Sequence, residues 1–109
     1  MKLQHYFLLL ALFSVNLIAQ AAPPEFVIVI KDHKFEPSEL TIPAGQRVKL
    51  VVDNQDPTSE EFESHSLHRE KVIPGNSKAN IYVGPLEPGT HKFFGEFNEA
   101  TAQGTLIVE

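Results

Sequence analysis

The 109-residue chain has no cysteine and no tryptophan, and its single methionine is the first residue. Without cysteine there is no disulfide, no thiolate nucleophile, no thiolate-held metal and no lipid-modified N-terminal cysteine. Without internal methionine, the soft thioether ligands that suit Cu(I) are missing as well. Positive charge is scarce: nine Lys and Arg stand against 14 Asp and Glu, a net charge of −5. A basic footprint for nucleic acid or for anionic lipid is therefore absent, and the acidic balance favours cations as ligands. No glycine-rich phosphate loop and no recognisable nucleophile arrangement occurs. The only long apolar run, Tyr6 to Ile18, is shorter than the ~20 residues that span a bilayer.

That run has a meaning of its own. Lys2 and His5 precede it and Ala19-Gln20-Ala21 follows it. A basic start, a short apolar stretch and a small-residue A-x-A end form a secretory signal peptide, expected over residues 1–21. Cleavage would leave residues 22–109 in the periplasm with no stable membrane anchor. Lys2 is the only charged residue lost, so eight basic side chains remain against 14 acidic ones. A single domain of this size buries only about 60–65% of its unfolded surface. Its stability must come from a regular core or from a bound ion that prefers the folded state.

The rest of the chain reads as short strands separated by turn signals. Phe26-Val-Ile-Val-Ile30 is β-branched and short. Phe35-Glu-Pro-Ser38 reads as a turn, since Pro37 fixes its own φ and biases Glu36 toward extended backbone. Glu39 to Ile42 and Arg47 to Val52 alternate in the strand period, with Val48, Leu50 and Val52 on one face. Val72-Ile73, Ala79 to Val83, Thr90 to Phe94 and Thr105 to Val108 complete the set, and Pro74-Gly75, Gly84-Pro85 and Pro88-Gly89 punctuate it. About seven or eight strands at regular spacing predict an all-β sandwich or barrel.

One polar stretch stands out. Glu61, Glu63, His65 and His68 fall within eight residues. As a strand, the segment would put Glu61, Glu63 and His65 on one face; as a helical turn, it would gather Glu61, His65 and His68. Glu61 and His65 come together either way. Carboxylate and imidazole without sulfur suit Fe, Mn, Zn or Cu(II). On composition alone the same segment reads as a solvated, charged loop. Phe62, set between the two glutamates, would anchor the segment in the core and hold both carboxylates outward, and Phe35, Phe93, Phe94 and Phe97 also read as core. Glu70, between Arg69 and Lys71, reads as a surface ion pair, and His91 as a structural or exposed strand residue.

Three stretches carry a resemblance. Phe35-Glu-Pro-Ser-Glu-Leu-Thr-Ile-Pro-Ala-Gly45, Gly84-Pro-Leu-Glu-Pro-Gly-Thr-His-Lys-Phe-Phe94 and Gly104-Thr-Leu-Ile-Val108 together resemble the opening, the penultimate strand and the closing strand of cupredoxins. The resemblance implies a Greek-key β-sandwich over nearly all of residues 26–109. In blue-copper members the closing loop reads C-x-x-H-x-x-M. Here Gly95, Asn98 and Thr101 stand at those three positions, which rules out a type 1 copper centre because the blue site depends on the copper–thiolate bond. Glu61-Phe-Glu-Ser64, Arg69-Glu-Lys71 and Gly95-Glu-Phe97 are similar to the cupredoxin-like components of bacterial periplasmic iron-uptake systems, of the Efe and Ftr type.

That resemblance implies a metal site at Glu61, Glu63, His65 and Glu96, taking an iron or copper ion, and a partner in an inner-membrane iron permease or a periplasmic iron-binding protein. Turnover does not follow from the sequence; an accessory part in ferrous oxidation would require a redox metal held by oxygen and nitrogen alone. The alternative is a metal-free sandwich serving as an interaction or scaffold subunit, which loss of every blue-copper ligand would also fit. Glu36 and His68 are weaker candidates for the site.

Overall fold

The computed structural model describes residues 21–109; the signal peptide expected over residues 1–21 lies outside them except for its last residue. Nine strands form two sheets: β1 (Glu25–Lys31), β2 (Lys34–Glu36), β3 (Glu39–Ile42), β4 (Val48–Asn54), β5 (Glu60–Ser64), β6 (Arg69–Ile73), β7 (Ser77–Val83), β8 (Gly89–Gly95) and β9 (Gln103–Val108). Among the described residues one 3-10 turn, Glu96–Asn98, follows β8. The four-stranded sheet runs β2-β1-β4-β7 and the five-stranded sheet β3-β9-β8-β5-β6. The β1–β4 and β3–β9 pairs are parallel, and the remaining neighbours antiparallel. Among the described residues no helix is long and apolar enough to cross a membrane.

Alternation makes the core. Val48, Leu50 and Val52 of β4 are buried, as are Ile28 and Ile30 of β1 and Leu106 and Val108 of β9. At its centre Phe62 stacks on Phe93 with centroids 5.1 Å apart, and Phe35 meets both rings edge-on. Phe35 lies in β2, so the turn expected there is a short strand first, hydrogen-bonded to β1. Its buried ring decides this, because a strand delivers the side chain to the core while leaving Lys34 and Glu36 exposed. Phe97 and Phe94 depart from the core reading: Phe97 stands 52% exposed, and Phe94 is half-buried outside the core with its ring against His65.

Replacing Phe62 by Ala is expected to cost about 3–5 kcal/mol, the usual penalty for emptying a buried phenylalanine site. Equilibrium urea denaturation measures it. A loss below ~1 kcal/mol would show that β5 is held by something other than this aromatic cluster.

The loop that delivers β5 is itself pinned. Asn54, fully buried, donates through Nδ2 to the carbonyls of Thr58, Ile73 and Pro74. The Asp56 carboxylate accepts the amides of Asp32 and His33, 2.8 and 3.0 Å away. Both of those residues have positive φ, a conformation Asp and His tolerate better than bulky residues. Strand β5 thus starts from a fixed point.

Candidate metal centre

The segment that the sequence leaves between strand and helix is a hairpin. Residues 60–64 and 69–73 pair antiparallel, and the chain turns over 65–68. The helical grouping of Glu61, His65 and His68 is therefore absent, and His65 lies just beyond the end of β5. Within β5, Phe62 points into the core and Glu61 and Glu63 point to the outer face of the five-stranded sheet. The register sets Glu63 directly opposite Glu70. Like charges so placed repel, an arrangement that a fold keeps only against a compensating gain. Glu96 arrives from the other side, at the start of the 3-10 turn.

One carboxylate oxygen from each of Glu61, Glu63, Glu70 and Glu96 lies within 4.8 Å of the others. Glu61 is only 6% exposed, and its Oε1 is buried without any hydrogen-bond partner. A buried carboxylate oxygen with no donor is costly. Among the described residues no Lys or Arg pairs with any of the four. Arg69 directs its guanidinium instead to the carbonyls of Tyr82, Leu67 and His68. The ion pair expected for Glu70 thus gives way to a place in the acidic group. The signal that could have found it is the hairpin register, which depends on a four-residue turn.

Protonation follows from this crowding. The Glu70 carboxyl beside it, its own burial and the Glu96 carboxyl together push Glu61 from 4.5 up to about 8. Burial first, then Glu96 and Glu70, raise Glu63 also, with His65 opposing. His65 sits at the rim: its Nδ1 is 3.8 Å from Glu63 Oε1, its side chain is 80% exposed, and its ring tilts over Phe94 at 5.3 Å. Glu36 remains exposed on β2, His68 is exposed in the 65–68 turn, and His91 bonds through Nδ1 to Ser66 Oγ at 2.8 Å. Four carboxylates and a nearby imidazole make an all-oxygen cage with one nitrogen at its edge, donors that suit hard or borderline cations.

The position where blue-copper members hold their metal is filled by protein. A side chain at Gly95 would meet Ala102 Cβ at 2.7 Å and the Glu60 Cδ at 2.7 Å. Asn98 donates through Nδ2 to Glu60 Oε2 at 2.7 Å. A type 1 copper centre does not fit these residues. Gly95→Cys is accordingly expected to destabilise the fold and to give no intense blue absorption on adding Cu(II); a blue product would show that Glu60 yields the space.

Two packed sheets with parallel β1–β4 and β3–β9 pairs, closed by a loop after β8, define a cupredoxin-type sandwich. The chain belongs to the cupredoxin-like domain family, whose profile matches residues 4–108. A protein of uncharacterised function from Rickettsia prowazekii (strain Madrid E) is 48% identical over 84 residues, 77% of this chain and 67% of that protein. Among solved structures, the metal-binding domain of the Streptococcus pneumoniae D39 Cu(I)-exporting P-type ATPase CopA, with Cu(I), superposes with a TM-score of 0.69 at 16% identity, covering 78% of this chain and 84% of that one. Auracyanin A, a blue copper protein of Chloroflexus aurantiacus, gives 0.69 at 17% identity over 81% of this chain and 100% of that one. Amicyanin from Paracoccus versutus gives 0.63 at 19% identity, over 84% and 87%. At these identities the likeness is one of fold.

Proposed function

We propose that the protein is an exported metal-binding module in which Glu61, Glu63, Glu70 and Glu96 hold one cation on the outer face of the five-stranded sheet, with His65 at the solvent side. The observation that carries this reading is Glu61, whose Oε1 is buried and unpartnered and whose carboxylate gathers with three others. A cation would satisfy that oxygen and neutralise the cross-strand pair of Glu63 and Glu70. Iron is the proposed cargo. Oxygen-rich sites suit hard cations, whereas the chain lacks the sulfur that suits Cu(I). The likeness of Glu61-Phe-Glu63 and Gly95-Glu-Phe97 to iron-uptake components points the same way. The site's place on an open sheet face, with His65 exposed beside it, is compatible with handing the ion to an inner-membrane permease or a periplasmic iron-binding protein.

Calorimetric titration tests the reading. Fe(II) under anaerobic conditions, Fe(III) as its citrate complex, Zn(II) and Cu(II) are each added to the protein. One saturable ion per chain is expected. Tight Cu(II) binding by itself would not identify the cargo, because affinity at oxygen and nitrogen sites generally rises toward Cu(II). Failure of every metal to bind would overturn the proposal and leave the sandwich as an interaction subunit.

A further inference from the structure

Glu60 is the neighbour of the proposed ligands yet faces the opposite way. Its side chain is 2% exposed, among the largest fully buried ones of the described residues. Burying a carboxylate is unfavourable unless donors surround it, and here three do. Its Oε1 accepts the amide of Glu61 at 3.0 Å and the amide of Phe97 at 2.9 Å. Its Oε2 accepts Asn98 Nδ2 at 2.7 Å. Both oxygens are satisfied, so Glu60 has no vacancy for a cation, in contrast to Glu61.

The identity of those donors is informative. Glu61 N–H belongs to the backbone that carries Glu61, and Phe97 N–H to the residue directly after Glu96. One oxygen atom therefore bridges the two chain segments that bring Glu61 and Glu96 together, although they are 35 residues apart in sequence. The 3-10 turn has no side-chain cap of its own at Gly95. Glu60 supplies its acceptor from another strand, and Gly95 leaves the room, since a Cβ there would press on Glu60 Cδ. Asn98, at the position where blue-copper members carry a histidine ligand, serves as the second arm of the clasp.

We propose that Glu60, with Asn98, is a positioning residue: a buried clasp that holds the 96–98 turn so that Glu96 completes the acidic site. It touches no metal. The inference rests on the proposed metal site and adds to it the element that preorganises the site. Outer groups that orient metal ligands typically cost about 10–100-fold in affinity when removed.

The test is Cu(II) calorimetry on the full chain for the native protein, Glu60→Gln, Glu60→Ala and Asn98→Ala, with near-UV circular dichroism as the fold control. Glutamine keeps an oxygen for both amides, and its Nε2 can face the Asn98 amide oxygen after that amide turns over. Glu60→Gln is expected to bind within about 3-fold of native, because the role is geometric and not one of charge. Asn98→Ala and Glu60→Ala are expected to weaken binding by about 10-fold or more. Should Glu60→Ala fail to fold, Asn98→Ala and Glu60→Gln decide the matter. Native-like binding by a folded Asn98→Ala or Glu60→Ala would overturn the clasp alone, and so would a loss in Glu60→Gln as large as in the alanine variants, which would make Glu60 a charge contributor. Absence of binding by the native protein would instead overturn the metal site itself, and the clasp with it.

Discussion

Glu61→Gln is expected to move two properties in opposite directions. Metal affinity should fall by more than about 100-fold, beyond what loss of an outer-shell group costs, while the melting temperature of the metal-free protein should rise when measured above about pH 8, where the folded protein carries Glu61 ionised. Glutamine has the shape of glutamate but no charge, so packing around the 6%-exposed side chain is kept. What disappears is the carboxylate whose Oε1 lacks a donor and which crowds Glu63, Glu70 and Glu96. Once Glu61 is ionised, above about pH 8, removing this buried, uncompensated charge is stabilising, whereas loss of the carboxylate weakens metal binding. Glu63→Gln should behave alike, with a smaller gain in stability because Glu63 is less buried. Calorimetry and thermal denaturation of the same samples check both signs. A lower melting temperature with unchanged affinity would show that Glu61 is structural.

The second large effect is on pH. The unfolded chain releases the Glu61 proton near 4.5, the folded chain near 8. Glu63 is displaced in the same direction. A carboxyl with a raised folded value binds more protons in the folded than in the unfolded state between those limits, so stability falls with rising pH across the window. In the metal-free protein the contribution of Glu61 should thus be fully present below about pH 4.5 and be lost progressively toward pH 8. Metal binding requires the ionised carboxylates. Affinity should therefore climb over the same interval, and the saturated protein should show a much flatter profile. Melting temperatures taken with and without Zn(II) at about pH 5, 6.5 and 8 give the two curves. A metal-free profile that rises with pH would contradict the crowding of the four carboxylates.

Such opposed curves would describe a site held in tension until its ion arrives. The aromatic cluster of Phe35, Phe62 and Phe93 beneath β5 and the Glu60 clasp beside it supply rigid support for that tension. Preorganised ligands of this kind bind without the cost of ordering them first. Phe97, directly after Glu96, is half exposed at the same end of the sandwich.

Much of this was legible in the residues. Alternating Val48, Leu50 and Val52, turn-forming Pro-Gly pairs and three spaced motifs were sufficient for the sandwich, because strand period and turn chemistry are local properties. The lack of cysteine alone excluded the blue-copper centre. Glu61, Glu63 and Glu96 could be singled out from local pattern and resemblance. Glu70 could not, since its place opposite Glu63 is a matter of hairpin register. Register depends on how the 65–68 turn closes and on which face is buried, neither of which is written in the local spacing. Nothing in the local pattern sets Glu60 apart from the charged residues around it, and only packing shows that it turns inward and is satisfied there. The sequence by itself determined the class of fold and the kinds of donor available. Which carboxylates meet, which are left unpartnered and which serve as scaffold was decided by the tertiary structure, because those properties belong to residues that are distant in the chain and adjacent only in space.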